Sequence, residues 1–313
     1  MGTTYCVKVA DVPQNVNWEN VAAAIQNELD TVDRLMSTYK PDSEVCRFNV
    51  FRQSDIWFPV SKQTAEVIAA ALDISHQTDG AFDITVAPLV NLWGFGPNKT
   101  GRSPQTLKEE SLKLKLHTGY QKLVVRLDPP ALKKSDAELT IDLSAIAKGY
   151  AVDRVADYLE QNGFKNYMIE VGGEVRCGGK KSALADWIIG IENPSESAEQ
   201  AGSLRQIPLK NRGLATSGSY RQKKMIDGKP VSHFIDPRTG LPKNIDADTD
   251  SREILVSVSV IADCCMLADA WATALFVADA ERGLQLAEKN NLAVLFLVKR
   301  GETVREVATP SFP

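Results

Sequence analysis

The sequence predicts an α+β fold, and three observations carry that reading. Apolar residues recur at helical spacing in two stretches of the first eighty residues, the middle of the chain reads as short strands broken by glycine-containing turns, and the C-terminal end runs strand, helix, helix, strand. This mixture of hairpins and helices differs from the regular alternation of a parallel α/β fold.

The elements follow in order. Residues 5–10 alternate as a strand. Asn17 caps a helix whose inner positions are Val21, Ile25, Leu29, Val32 and Leu35. Residues 37–43 form a loop. Ser61 caps a helix from Lys62 to Thr78, with Val67, Ile68, Ala71, Leu72 and Ile74 inward, and Asp79-Gly80 ends it. Ala81 to Val86 follows, then Pro88 and a loop through Leu92 to Pro97. Ser103-Pro104 opens a helix to Leu116. Residues 121–127 and 138–143 read as paired strands around Pro129-Pro130. A helix from Ala147 to Asn162 stops at Gly163, and the strand Tyr167–Val171 ends in Gly172-Gly173. Strands at 187–192, 205–209 and 213–217 precede a hairpin over Ser219–Ser232 that turns at Asp227-Gly228. Strand 254–261, helix 265–277, helix 281–290 and strand 292–299 complete the pattern, with no internal repeat.

At 313 residues the chain can bury a large core as one domain, 1–313, or as two subdomains. Apolar residues make up 43% and charged residues 24%, as in soluble globular proteins. The net charge is -4 and the pI about 5.6, which argues against a nucleic-acid partner. Ile254 to Ala280 resembles a membrane span in hydropathy, but Asp263, Asp269 and Asp279 interrupt it, so it reads as a buried strand and a buried helix. Cys6, Cys46, Cys177, Cys264 and Cys265 form no C-x-x-C and have no histidine at zinc-ligand spacing; they read as buried small apolar residues, and their odd number leaves a thiol free within the chain. The chain enters its first strand almost at once, which is compatible with removal of an export signal.

Residues 141–153 carry the strongest chemical signal. An apolar strand turns through small residues and enters a helix at Lys148 and Gly149, a layout suited to an anion on main-chain N–H groups at a helix start. It matches neither of the common nucleotide motifs, so it reads either as a phosphate site on a different fold or as an ordinary strand–loop–helix with a surface lysine. In 233–240, His233 precedes Asp236 by one short turn, and Pro237 and Gly240 fix that turn. His76 and His117 lie on helical segments without a polar cluster and read as structural. Asp269 and Thr273 are one helical turn apart, so a carboxylate and a hydroxyl share a face of an apolar helix; they form an oxygen site for a hard cation such as Mg²⁺, or else a cap and a back-bonded threonine. Phe82 could stack on a flat ring, with Asp83 at its polar edge. Gly172-Gly173 and Thr216–Ser219 offer exposed main-chain donors.

In order, D-G-A-F-D-I-T, I-D-L-S-A-I-A-K-G-Y-A-V-D, E-V-G-G-E, T-S-G-S-Y, H-F-I-D-P-R-T-G and A-D-A-W-A-T-A-L resemble the ApbE family nearly end to end. Its members are FAD:protein FMN transferases, once thought to serve thiamine biosynthesis. The resemblance implies a T-fold-like α+β domain of mixed sheets and packed helices with a FAD cleft between them. It implies FAD contacts at Met1, Tyr39, Ala81, Phe82, Asp83, Asp142, Lys148 and Ile235, and Mg²⁺ ligands at Asp269, Thr273 and the carbonyl of Ala145. At Lys148 the chain departs from close relatives, which carry Glu. The implied reaction moves FMN from FAD, acting as substrate, to a Thr or Ser in a D-x-[ST]-G-A-[ST]-like motif of a respiratory flavoprotein subunit, releasing AMP. His233, then Asp236 and Asp142, are the candidates to activate that hydroxyl. FAD hydrolysis to FMN and AMP, or flavin binding without catalysis, are the alternatives. Family members are exported, so a periplasmic, inner-membrane lipoprotein is the expected setting.

Overall fold

A computed structural model describes residues 2–96, 104–194, 202–219, 223–226, 228–244, 253–301 and 303–313. The predicted positions Pro97, Ser103, Tyr220 and Asp227 lie outside the described residues.

Strand β1 (Tyr5–Ala10) leads to helix α1 (Trp18–Met36), where the Asn17 side chain accepts the Asn20 N–H at 3.1 Å. Past the expected loop lies a further helix, α2 (Glu44–Val50), capped in the same way by Ser43. The short β2 (Phe58–Pro59) precedes α3 (Lys62–Gln77), capped by Ser61. A 3₁₀ turn, Ile84–Val86, then runs into α4 (Ala87–Leu92). Pro88 sits in the first turn of this helix, where a proline lacks only an N–H that would have had no helical partner, and the expected loop begins as the helix ends at Leu92. Helix α5 (Pro104–Lys115) is followed by β3 (Leu123–Leu127) and β4 (Pro130–Lys134).

The predicted pairing of 121–127 with 138–143 is corrected here. The chain turns at once through Asp128 and Pro129, and β3 pairs with β4 in the register Leu127↔Pro130. Residues 138–143 are held by side chains instead. Asn49 bonds both the N–H and the C=O of Ile141, at 2.8 and 2.9 Å, and Lys134 Nζ donates to Leu139 O at 2.8 Å.

Helix α6 (Ala147–Gln161) precedes β5 (Asn166–Val171), β6 (Glu174–Gly178), β7 (Trp187–Glu192), β8 (Ser203–Leu209) and β9 (Arg212–Gly218). Strands β10 (Lys223–Ile226), β11 (Lys229–Asp236) and β12 (Leu241–Asn244) form a small sheet, and β13 (Ile254–Ala262), α7 (Cys265–Ala278), α8 (Ala280–Lys289), β14 (Ala293–Arg300) and β15 (Thr303–Ala308) follow. The central sheet has seven antiparallel strands in the order β1-β5-β6-β9-β13-β14-β15. On one face α1, α3, α6 and α7 bury Leu29, Ile68, Val152 and Leu275 against Ile169, Val258 and Phe296. On the other, the β7–β8 hairpin packs Trp187, Ile191 and Ile207 against Val175, Cys177, Leu214 and Leu295. The α+β class is as predicted.

The apolar run 254–280 is the buried pair β13 and α7, and no helix among the described residues is long and apolar enough to cross a membrane. Cys177 and Cys265 are buried as expected, but Cys6 is exposed on edge strand β1, and no disulfide links the five cysteines.

Helices α6 and α7 begin in contact, which requires glycine. A Cβ at Gly149 would lie 2.3 Å from Cys265 O. Gly149→Ala is therefore expected to lower stability by about 1–3 kcal/mol, read from the urea midpoint.

Lys134 is buried, and burial, with Arg52 nearby, pushes its ammonium down to about 8. Between pH 8 and the ordinary lysine range the unfolded chain holds this proton and the folded chain does not, so the residue's contribution to stability rises with pH. Urea unfolding of wild type and Lys134→Met from pH 7 to 10 should show wild type gaining relative to the variant; a constant difference would contradict this.

Candidate active site

A cleft of about 1460 Å³ opens where α6, α7 and the ends of β6 and β9 meet the Ala81–Ile84 turn and β11. Its chemistry starts from how two helices begin. Neither α6 nor α7 has a side-chain cap from its own N-cap residue. Each is completed by an acid from the other. Asp269, on α7, accepts the Gly149 N–H of α6 at 3.0 Å; Asp153, on α6, accepts the N–H groups of Cys265 and Met266 at 2.9 and 2.8 Å. Arg176 of β6 donates to the same Asp153 carboxylate at 2.7 Å.

Lys148 reaches from the first turn of α6 to Glu174 at 2.9 Å and to Asp269 at 3.4 Å. Burial disfavours its charge, but the two carboxylates outweigh that and raise the lysine above its usual range. Burial first, and the charge of Asp269 second, push Glu174 up to about 7 against the pull of Lys148. Glu174 Oε2 is buried without a hydrogen-bond partner among the described residues. Thr273 lies one turn beyond Asp269, its hydroxyl 3.2 Å from that of Ser217 on β9.

Two buried carboxylates thus face one ammonium, and an oxygen is left without a donor. A hard cation suits that deficit. Among the described residues no group of three His, Cys, Asp or Glu side chains could hold a metal. Asp269, Thr273 and Ala145 all line the cleft. The alternative reading of Asp269 as a cap of its own helix is corrected, since it caps α6.

The opposite wall is built by the turn after α3. Asp83 accepts from the Thr85 N–H at 2.8 Å, the Thr85 hydroxyl at 2.7 Å and the Tyr120 N–H at 2.8 Å. Burial raises its carboxyl despite these donors. Through these bonds its two oxygens join the turn at Thr85 to the chain at Tyr120. Asp142 ties this turn to the α6 entry, donating its N–H to Ile84 O at 2.8 Å and accepting from the Ser144 N–H at 2.8 Å and from its hydroxyl. Tyr39 stands exposed at the rim. His233, Phe234 and Ile235 line the cleft from β11, the imidazole tilted 37° against the Phe234 ring with centroids 4.1 Å apart.

The cleft therefore gathers Tyr39, Ala81, Phe82, Asp83, Asp142, Ala145, Lys148, His233, Ile235, Asp269 and Thr273. Met1 lies outside the described residues. Asp236 is corrected as a candidate base. It is not in the cleft lining, and Arg238 grips both its oxygens at 2.9 and 2.8 Å. Burial alone would raise its carboxyl, but Arg238 prevails and lowers it. His117 has a polar partner after all, Asp136 at 3.0 Å, outside the cleft.

A family model described as the ApbE family matches residues 1–296. The chain belongs to the ApbE family. It is 41% identical over 312 residues to the FAD:protein FMN transferase of Vibrio cholerae serotype O1, covering 100% of this chain and 89% of that protein. It is 36% identical over 315 residues to the FAD:protein FMN transferase of Escherichia coli K12, covering 100% and 86%. Among solved structures, the flavin transferase ApbE from Vibrio cholerae superposes with a TM-score of 0.87 at 40% identity, covering 100% of this chain and 95% of that one. The apo flavinyl transferase ApbE of Pseudomonas stutzeri gives 0.85 at 34%, covering 99% and 92%.

In this ApbE-family chain, the side chains of Glu174 and Ser217 line the cleft and Asp153 braces the helix junction from outside that lining, although the sequence pattern gave none of these three side chains a role. A signal existed for two of them. Asp153 is a charge among Ala151, Val152, Val155 and Ala156 on a buried helix face, and Glu174 follows Gly172-Gly173 into an apolar strand. Removing Asp153 uncaps α7 and leaves Arg176 half-buried without its nearest acid. Asp153→Ala should cost about 3–5 kcal/mol of stability, measured by urea unfolding. Asp153→Asn should cost less, because it can still accept an N–H.

Proposed function

We propose that this protein transfers the FMN half of FAD to a Thr or Ser hydroxyl of an acceptor flavoprotein, with release of AMP. The observation that carries the reading is a single cleft joining a lysine and a helix start, suited to a pyrophosphate, to an aromatic and apolar wall suited to flat rings. Family membership adds to it, because the relatives are named FAD:protein FMN transferases.

FAD enters as substrate, with its pyrophosphate at Lys148 and the first turn of α6. Asp269, Thr273 and the Ala145 carbonyl would hold Mg²⁺, which supplies charge neutralisation and alignment of the phosphates when bound. Lys148 adds a second positive charge from the chain itself. The acceptor oxygen bonds to the phosphorus attached to riboflavin, and the bond from that phosphorus to the bridging oxygen breaks. AMP leaves with that oxygen. The hydroxyl proton passes to His233, the candidate base whose ring lines the cleft. Asp142 and Asp83 hold the loops on either side of the reacting groups. The acceptors are respiratory flavoprotein subunits with a D-x-[ST]-G-A-[ST]-like motif.

The test mixes the protein with FAD, Mg²⁺ and such an acceptor, and reads denaturation-resistant flavin fluorescence on a gel together with AMP release. A fluorescent acceptor band and an equal amount of AMP, both abolished by EDTA, are expected. AMP without the band would indicate hydrolysis, and neither product would indicate flavin binding alone. His233→Ala should slow transfer by about 10²–10⁴-fold with FAD affinity retained; a wild-type rate would remove the histidine from this role.

A further inference from the structure

The cleft has a second arm that the FAD reading does not use. Five consecutive residues of β7, Ile188 to Glu192, line it, and no residue of β8 does. A strand seen face-on contributes alternate residues, so a consecutive run means that β7 turns its edge to the cleft. Among the described residues β7 pairs only with β8. Asn193 N–H points to the β8 side, donating to Gly202 O at 3.0 Å. The register shifts by one residue of β8 between Ile191 and Glu192, but Pro208, which has no N–H to donate, faces Ile188, so Ile188 and Gly190 are the residues whose N–H and C=O turn away from β8, on the side where both line the cleft. Pro208 lies opposite Ile188 in this register, so its missing N–H falls on the outer edge of β8. That edge is blunted against strand addition, whereas the edge of β7 keeps its donors.

We propose that the open edge of β7 receives an extended segment of the acceptor polypeptide as an added strand. This deepens, and rests on, the transfer reading above. FAD has no ladder of alternating main-chain donors and acceptors to match such an edge, whereas a polypeptide does. Met168, Leu214 and Thr216 of the central sheet line the same cleft, Met168 and Leu214 sharing an apolar cluster with Ile189 and Ile191 of β7, and the residue after Thr216 is Ser217, whose hydroxyl meets that of Thr273. A strand lying on β7 is thereby continuous with the metal-ligand end of the cleft, where its hydroxyl must arrive. Main-chain pairing supplies affinity with little regard to side chains, and the groove wall selects the residues beside the reactive Thr or Ser.

The experiment follows transfer from FAD, with Mg²⁺ and the full chain, to a short synthetic peptide carrying Asp-Ala-Thr-Gly-Ala-Thr. Single N-methyl groups are moved along the peptide, each removing one main-chain donor. Strand addition predicts that peptide KM rises at every second position and is unchanged between them; a uniform effect, or none, would overturn the proposal while leaving transfer itself intact. Ile188→Pro removes one donor from the open edge, and peptide KM should rise by about tenfold, the equivalent of one or two lost main-chain bonds. FAD affinity and the melting temperature should hold, and Ile188→Val should behave as wild type. An Ile188→Pro variant with an unchanged peptide KM, or one losing FAD affinity in step, would contradict the assignment. If wild type flavinylates no peptide yet still flavinylates an intact acceptor protein, an extended segment is not the recognised form and the inference fails; if it flavinylates neither, the transfer reading fails first.

Discussion

Two helices start against each other in this protein, and each is finished by the other's acid. The N-termini of α6 and α7 both carry positive partial charge and unpaired N–H groups, so bringing them together is unfavourable unless anions intervene. Asp269 and Asp153 are those anions. The contact also requires the absence of side chains: a Cβ at Gly213 would lie 2.5 Å from Cys265 Cα, much as at Gly149. The spacing is equally constrained. Asp269 lies four residues past the start of its own helix at Cys265 and Asp153 six past Ala147, and from there each accepts the first-turn N–H groups of the other helix across one junction.

The chemistry of the cleft follows from this junction. Because Asp269 is held by a main-chain N–H, its position is set by the backbone of α6, and Thr273, one turn on, is set with it. Lys148 precedes Gly149 in the same turn and so arrives at the same carboxylate. Glu174 completes the group from the central sheet, where the turn at Gly172-Gly173 brings β6 back beside β5. The resulting cluster holds more negative than positive charge in a setting where charge is poorly screened. That imbalance suits a site that receives a cation and a pyrophosphate together.

Much of this was legible in the sequence. The caps Asn17 and Ser61, the stop at Gly163 and the buried pair formed by 254–262 and 265–278 follow from local rules, and the structure agrees. Among the site residues, Asp269 and Thr273 were legible because helical spacing puts them on one face. What local rules could not supply is partnership. Residues 138–143 look like a strand, but their polar groups are taken by Asn49 and Lys134, partners no local pattern reveals. Asp236 looks poised for catalysis beside His233, but Arg238 grips both its oxygens and it is not part of the cleft lining. Glu174 and Asp153 were visible as charges in apolar surroundings, yet their roles depend on elements far along the chain.

The Asp269 end of the helix junction, proposed above as a cation site that works with FAD, can be probed without turnover by titrating Mn²⁺, standing in for Mg²⁺, and following the loss of its free EPR signal in the presence of FAD. One tightly bound ion per wild-type chain, lost in Asp269→Ala while that variant keeps its fold by circular dichroism, is the predicted result. Equal binding by a folded Asp269→Ala variant would contradict the account.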